Sequence, residues 1–312
     1  MSTRKLHSLS FDVEEYFQVA NLRGHFARSD WERVEPRIDV GMDAILGALE
    51  RHGARATFFF LGWIAERHPH LVRRCLDGGH EIASHGYEHL FLQDLEPATL
   101  HRDLERTEQA LMAAGAPRPV GFRASTFTLT RSTWWAFDVL VQRGYRYDSS
   151  VHPVRHPVYG VPGFEPGLSR VAAAGGSIVE FPVSTYPLLG RNWPFGGGGY
   201  FRLLPGAVTR ALAAGLERRG RPMAFYLHPW EFDPGQPRCP APAFKRFRHY
   251  LNLDRTLPRL EALLERFRFG TMAEVVAAEG FAAPRGADSS SAAGGQASAS
   301  VAQRGGQAAE RG

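Results

Sequence analysis

The sequence predicts an α/β protein with a parallel sheet and outer helices, open or closed into a barrel. Two observations predict it. Short apolar runs alternate with helical patterns along the first 280 or so residues, and several of these runs stop at a polar or titratable side chain. The 312 residues, 44% hydrophobic and 22% charged, describe an ordinary globular protein able to bury a sizeable core. In parallel α/β folds, chemistry collects at the carboxyl ends of strands, so those ends are the places to read.

The elements follow in order. Residues 9–13 form a strand candidate, and MDAILGALERH at 42–52 carries a helical apolar stripe. ATFFFL at 56–61 is a second strand, followed by a helix over 64–78. EIAS at 81–84 is a third, and 97–115 reads as a long amphipathic helix. A strand at 120–123, a helix at 131–143 and a strand at 145–148 continue the rhythm. Later come a strand at 177–182, a helix at 205–218, a strand at 222–227 and a last helix that includes 255–267. From about Phe281 the composition turns to Ala, Gly, Ser and Gln, and a segment with so little to bury is expected to be a disordered tail over 281–312.

Composition removes several classes of function. The net charge of +5 is almost all arginine, since lysine occurs only at Lys5 and Lys245, and heavy Arg, Ala and Gly usage fits a genomic coding bias. The charges are scattered among acids without a basic block interleaved with aromatics, so no nucleic-acid groove is expected. The balance leaves room for attraction to an acidic polymer or an anionic membrane surface. Cys75 and Cys239 have no partner spacing, which argues against a disulfide framework or a thiolate metal site and suits a reducing compartment. The polar start and the lack of any run near the ~20 apolar residues of a membrane span lead to the expectation of a soluble, cytoplasmic protein.

The strand ends carry the candidate chemistry. The first ends SFDVEEYF, where alternation sends Asp12 and Glu14 to the same side. Two such carboxylates repel and need a metal, an arginine or a shared proton; an exposed acidic turn is the plain alternative. SHGYEH sets His85 and His89 four residues apart, neighbours on a helical turn or a tight helical loop. With a carboxylate from another strand end they complete two imidazoles and one acid, a ligand set that catalytic zinc sites use with a position left for water. In GFRASTF, Arg123 ends a strand and can pair with a carboxylate such as Asp12, or be a surface arginine. In YDSS, Asp148 ends the next strand, with an Asx-turn as the alternative. In AFYLHPWEF, His228 follows an apolar strand, where a packed core histidine competes with a catalytic one. Five strand ends in sequence, each supplying such a residue, are hard to explain as packing.

The ordered set FDVEEYF, SHGYEH, RASTF, YDSS and LHPWEF resembles the polysaccharide deacetylase family, the NodB-homology or carbohydrate esterase family 4 proteins, over roughly residues 9–232. FDVEEYF, GGGGYFRLLP and LHPWEFDP look most like a bacterial subgroup associated with exopolysaccharide production alongside the exosortase/PEP-CTERM system. The resemblance implies a distorted (β/α)7-type barrel with a C-terminal extension: 1–183 would be the first part of the barrel and 184–280 a family-specific region containing the last barrel strand with His228. It implies Asp12 as general base, oriented by Arg123; Glu14, His85 and His89 as metal ligands; and His228 as general acid, steadied by Asp148. The backbone N–H of Thr126 would hold an oxyanion. The implied cofactor is a divalent metal, zinc first, with Co2+, Ni2+ or Fe2+ also suited to the donors.

The implied partner is an N-acetylated glycan of an exopolysaccharide or its precursor, with peripheral association to a membrane polysaccharide-synthesis complex. Trp193, Phe195, Tyr200 and Trp230 are candidates for sugar stacking, each with a core role as alternative, and the glycines at 196–199 form a flexible or tightly turned loop near the site. Three departures from the family pattern stand out: Glu14 as the second acid, Ser125 in place of a proline, and Pro229 after His228, so that the histidine's local hydrogen bond must come from elsewhere. An allantoinase-like amide hydrolase and a non-catalytic carbohydrate-binding assembly factor are the rival readings.

Overall fold

The computed structural model describes residues 4–281; the tail expected over 281–312 lies, beyond Phe281, outside the described residues. The strands are β1 (Leu6–Val13), β2 (Thr57–Phe60), β3 (Glu81–Ser84), β4 (Gly121–Phe122), β5 (Tyr147–Asp148), β6 (Ser169–Ala173), β7 (Gly176–Glu180), β8 (Thr185–Leu188), β9 (Arg191–Pro194), β10 (Ala224–Leu227) and β11 (Arg268–Gly270). Their order is β10-β1-β2-β3-β4-β5-β7-β6, and every neighbouring pair from β10 through β7 is parallel. The chain after β7 turns back to β10, where Ser184 N donates to Ala224 O at 3.1 Å and Tyr226 N donates to Gly196 O at 2.9 Å. These bonds draw the ends of the strand order together, giving the distorted seven-stranded barrel expected from the sequence. β6 adds antiparallel to β7, β11 pairs the start of β1, and β8–β9 form a separate hairpin.

Helices fill the connections: α1 (Ile38–Arg51) after β1, α2 (Gly62–Arg67) and α3 (Pro69–Asp77) after β2, α4 (Pro97–Ala113) after β3, and α5 (Ala136–Gln142) after β4. α6 (Gly198–Leu203) and α7 (Gly206–Arg218) precede β10; α8 (Ala243–Tyr250), α9 (Thr256–Arg266) and α10 (Met272–Ala278) follow it. The helix expected over 64–78 is thus two helices. Pro69 has no N–H for a continuing helix and starts a new one, leaving His68 as a non-helical joint between them. The helix expected over 131–143 is a 3-10 turn at Arg131–Thr133, then the shorter α5.

The register decides which side chains face inward. Asp12 pairs with Phe59 and Phe59 with Ala83, so these three share the inner face; Val13, Phe60 and Ser84 share the outer one. Outside, Leu9, Phe11 and Val13 pack with Met42, Ile45 and Leu49 of α1. Inside, Phe59, Ala83, Tyr147, Val179 and Ala224 meet Met272 and Val275 of α10, which closes the amino-terminal end of the barrel. Both faces of β2 are covered, which explains why TFFF is apolar or buried at every position instead of alternating. The inner face of β1 is polar, with Ser8, Ser10 and Asp12 all buried, and it leads to the open, carboxyl-terminal rim.

Candidate active site

Three segments deliver a cluster of candidate metal ligands to that rim. Glu14 lies one residue past β1 and His85 directly after β3; His89 sits at the end of the following loop. Their donor atoms all lie within 4.8 Å of one another, and all three residues are buried. The four-residue interval between the histidines is spanned by a loop instead of a helical turn, with Gly86 and His89 in left-handed conformation (φ 75° and 55°). His85 Nδ1 lies 2.8 Å from Arg123 O, which can only accept, so Nδ1 carries the proton and Nε2 keeps its lone pair. Burial pushes the His85 pKa down to about 4. Burial alone would raise Glu14, but the neighbouring imidazoles of His89, His228 and His85 outweigh it and hold the carboxylate at about 2. Both groups therefore stand in ligating form at neutral pH.

Glu14 Oε2, 2.9 Å from His89 Nε2, has no hydrogen-bond donor in its buried position, whereas Oε1 accepts from Trp230 Nε1 at 3.3 Å. A buried carboxylate oxygen facing the ring nitrogens of two histidines is the environment a divalent cation completes, and the donor set fits one. Among the described residues Asp39, His68 and His70 also converge within 4.8 Å, but that cluster is half-exposed at the α2–α3 joint and has no proton-transfer groups beside a cleft.

Asp12 and His228 flank the centre. Arg123 is wholly buried at the end of β4, and its Nη1 donates to Asp12 Oδ1 at 2.6 Å and to Ser10 Oγ at 2.8 Å. Its remaining nitrogens bond Ser149 O at 3.0 Å and Ser149 Oγ at 2.9 Å. With Oδ1 so engaged, Asp12 keeps Oδ2 for another partner, and His228 Nε2 lies 3.9 Å from it. The histidine follows β10; its Nδ1 donates to Glu231 Oε1 at 2.6 Å, and Glu231 Oε2 accepts from Arg202 Nε at 2.5 Å. Burial alone would lower the His228 pKa, but the hydrogen bond to Glu231 and the charges of Glu14, Glu231 and Asp12 raise it to about 9. A cation held by Glu14 opposes that rise by removing one of these charges. The imidazole also stacks on Trp230, with ring centroids 5.2 Å apart, and Trp230 stacks on His249 at 4.4 Å.

Glu231 and Arg202 were not singled out in the sequence. The visible signal is the three-residue interval in HPWE, which allows a 3-10 turn at Pro229–Phe232 to fold the acid back onto the histidine. This pairing answers what replaces the missing aspartate after His228, and it corrects the role expected for Asp148. Asp148 is in register with Phe122 and Phe122 with Ser84, which puts it on the outer face, and its oxygens accept from Ser150 N at 2.8 Å and Ser150 Oγ at 2.7 Å. The Asx-turn alternative describes it. Ser150 Oγ in turn accepts from Ala124 N at 2.7 Å, so Asp148 braces the loop that leads to Thr126. Thr126 lines the cavity in a left-handed conformation, φ 54°.

The aromatic candidates separate. Trp230 lines the cavity with Asp12, Glu14, His85, His89 and His228. Tyr200 lines an adjoining cavity instead. Trp193 does not line either: it lies on β9, half-exposed, its indole donating to Leu188 O at 3.2 Å across the hairpin. Phe195 is fully buried in the core. The glycine run is tightly turned beside β10, where a side chain at Gly197 would meet Tyr226 O at 1.9 Å.

The fold and site together define an α/β barrel with a carboxylate–bis-histidine cluster at its carboxyl-terminal rim, flanked by Asp12 and His228. Residues 38–147 match the family model described as "Polysaccharide deacetylase", and 149–277 match one described as "Domain of unknown function (DUF3473)". Residues 38–147 thus carry a segment of the polysaccharide deacetylase (NodB, carbohydrate esterase 4) type. The chain is 32% identical over 114 residues to a peptidoglycan deacetylase-like protein of Gibberella zeae, covering 36% of this chain and 33% of that one. To a chitooligosaccharide deacetylase of Bradyrhizobium it is 36% identical over 70 residues, covering 22% and 32%. The chain thus matches about a third of the length of these curated relatives. The crystal structure of a putative polysaccharide deacetylase from Mycobacterium smegmatis shares the fold, with a TM-score of 0.59 at 20% identity over 90% of this chain and 94% of that one. Arg202, His228 and Glu231 all fall in the segment matched by the domain of unknown function, so that region supplies the His228 side of the cavity.

Proposed function

We propose that this protein is a metal-dependent hydrolase that removes N-acetyl groups from amino sugars of an exopolysaccharide or its precursor. The observation that carries the reading is the placement of Asp12 and His228 on either side of the Glu14–His85–His89 donor set. Glycan binding alone requires neither a proton acceptor held by a buried arginine nor a histidine held by a buried carboxylate, and this disfavours a non-catalytic assembly factor. The deacetylase names of the partial relatives point the same way.

Glu14, His85 and His89 would hold the cation, zinc being the first choice. When bound it lowers the pKa of water and polarises the acetyl oxygen. Asp12 Oδ2 takes the proton from the attacking water, while Arg123 keeps Oδ1 occupied and the carboxylate turned to the cleft. The Thr126 N–H, at the cavity wall, donates to the oxyanion, a contact typically worth about 3–4 kcal/mol. His228 Nε2 delivers a proton to the departing sugar nitrogen, since an amide anion cannot leave unassisted, and Glu231 stabilises the charged imidazole from Nδ1. The products are acetate and a free amine on the sugar.

Acetate release from N-acetylglucosamine oligomers, measured with and without added Zn2+ after chelation, tests the reading. Metal-dependent release supports it. A metal-free protein that instead opens a cyclic ureide identifies the allantoinase-like alternative.

A further inference from the structure

A second cavity opens beside the catalytic one and shares Tyr159, Gly199, Tyr226 and Arg248 with it. Its walls add His156, Tyr200, Phe244 and Phe247, with no carboxylate among its lining residues. Phe244 and Phe247, one turn apart on α8, are 69% and 55% exposed. The His156 and Tyr159 rings stack with centroids 3.7 Å apart. Aromatic faces in the continuation of a sugar-sized cleft suit the apolar faces of a further ring.

The charge in this cavity is more informative than its apolarity. Arg248 is exposed, lies over the Phe244 ring at 5.8 Å, and forms no ion pair among the described residues; neither do Lys245 and Arg246 beside it. Elsewhere on the surface arginines do find carboxylates, as in Arg51–Glu261 and Arg74–Asp43. The backbone of Arg248 is also fixed. Arg202 donates to the carbonyls of Arg248 (3.1 Å), His249 (2.9 Å) and Leu251 (2.8 Å) with the guanidinium that also holds Glu231. One buried arginine therefore sets the catalytic histidine and the end of α8 relative to each other.

We propose that this second cavity is a subsite for the glycan unit next to the one deacetylated, and that this unit carries a negative charge, a carboxylate or a phosphate, read by Arg248. The inference rests on the deacetylase reading. It adds that the substrate is an acidic polymer or a sugar phosphate, not a neutral homopolymer. A guanidinium over an aromatic ring pairs planar carboxylates and phosphates well, and an exposed pair of this kind weakens with salt.

The test is equilibrium binding, by calorimetry on the metal-loaded protein, of three probes. They are an N-acetylglucosamine tetrasaccharide, a tetrasaccharide alternating N-acetylglucosamine with glucuronate, and N-acetylglucosamine disaccharide 1-phosphate. At least one acidic probe is expected to bind about tenfold more tightly than the neutral one, and the tighter of the two identifies the acid. In Arg248→Ala and Arg248→Glu that ratio is expected to collapse, and in Arg248→Lys to survive in part. Equal affinities for all three probes in the unaltered protein overturn the proposal, as does a ratio that Arg248→Glu leaves unchanged. If, with equal probe affinities, co-sedimentation with phosphatidylglycerol vesicles depends on Arg248, the charge answers to a lipid surface and the proposal is likewise overturned. Absence of acetate release from every probe counts against the deacetylase reading alone, because the binding ratio does not depend on turnover.

Discussion

Asp12 has two oxygens with different company, and that asymmetry assigns its work. Oδ1 is spoken for by Arg123, while Oδ2 faces the cleft. Asp12→Asn is expected to keep the metal and lose turnover by about 10²–10⁴-fold, the usual range for a proton-transfer group. His85→Ala is expected to lose metal and turnover together. Metal content by mass spectrometry, measured in a His68→Ala background to silence the surface cluster, separates the two outcomes. A pH profile tests Glu231. As the proposed proton donor His228 acts only while charged, so activity is expected to fall as pH rises through its pKa, which Glu231 helps to raise. In Glu231→Gln the alkaline limb of kcat/KM against pH is expected to move to lower pH; an unmoved limb means that His228 is not the donor. At this scale the sequence was legible wherever strand parity or a strand end fixes a side chain, as for Asp12, Arg123 and His228. It misled at Asp148, because a strand of only two residues gives no alternation from which to read the outward face.

Among the elements, the contact between α1 and the turn after β10 positions His228. Gly41 of α1 approaches Pro229 so closely that an added Cβ would lie 2.0 Å from Pro229 O. Gly41→Ala must push the helix from the turn that carries His228 and Glu231. A loss of about 1–3 kcal/mol in unfolding free energy is expected, together with a fall in kcat larger than that of a core substitution equally costly but remote from the turn. Thermal melts and turnover on the same preparations check it. The boundaries of β2, β3 and α4 could be read closely because apolar periodicity is local, whereas α1 begins four residues before the stripe read at 42–52. The joint at His68 was written in the sequence too, as Pro69, but the amphipathic pattern runs straight across it. The β8–β9 hairpin and β11 were not legible, since short strands with few apolar residues are defined by their pairing partners rather than by pattern. Trp193 and Tyr200 could not be sorted for the same reason: what an aromatic ring touches is decided by distant chain.

For the whole molecule, several buried ionisable groups oppose one another across the pH scale. Burial lowers His7 and His80 to about 4 and His152 and His249 to about 3. A lowered folded-state pKa means that the unfolded chain takes up protons first as pH falls. The stability these histidines permit is therefore present above the ordinary histidine range near 6.5 and lost progressively below it. Asp148 and Glu180, in register on β5 and β7, are both raised, by burial first and, at Glu180, by the Asp148 charge as well. Their contribution runs the other way: it is present below the ordinary carboxylate range and lost as pH rises toward the folded-state values. Glu180→Gln, which is neutral at every pH, is expected to raise the melting temperature at pH 8 and leave it little changed at pH 4. Calorimetric scans across that interval decide it. The order of the strand ends was legible for the molecule as a whole. The closure through Ser184 and Ala224 was not, because it rests on a few hydrogen bonds between segments some forty residues apart, which no periodic pattern announces.

The pairing of β1 with β10 has a consequence for synthesis. Asp12 leaves the ribosome more than 200 residues before His228, and the strand that bears it has an unpaired edge until β10 arrives. Asp12 and His228 can therefore meet only once β10 has emerged, and a chain ending before β10 would expose an unpaired edge of β1 in place of the formed cleft.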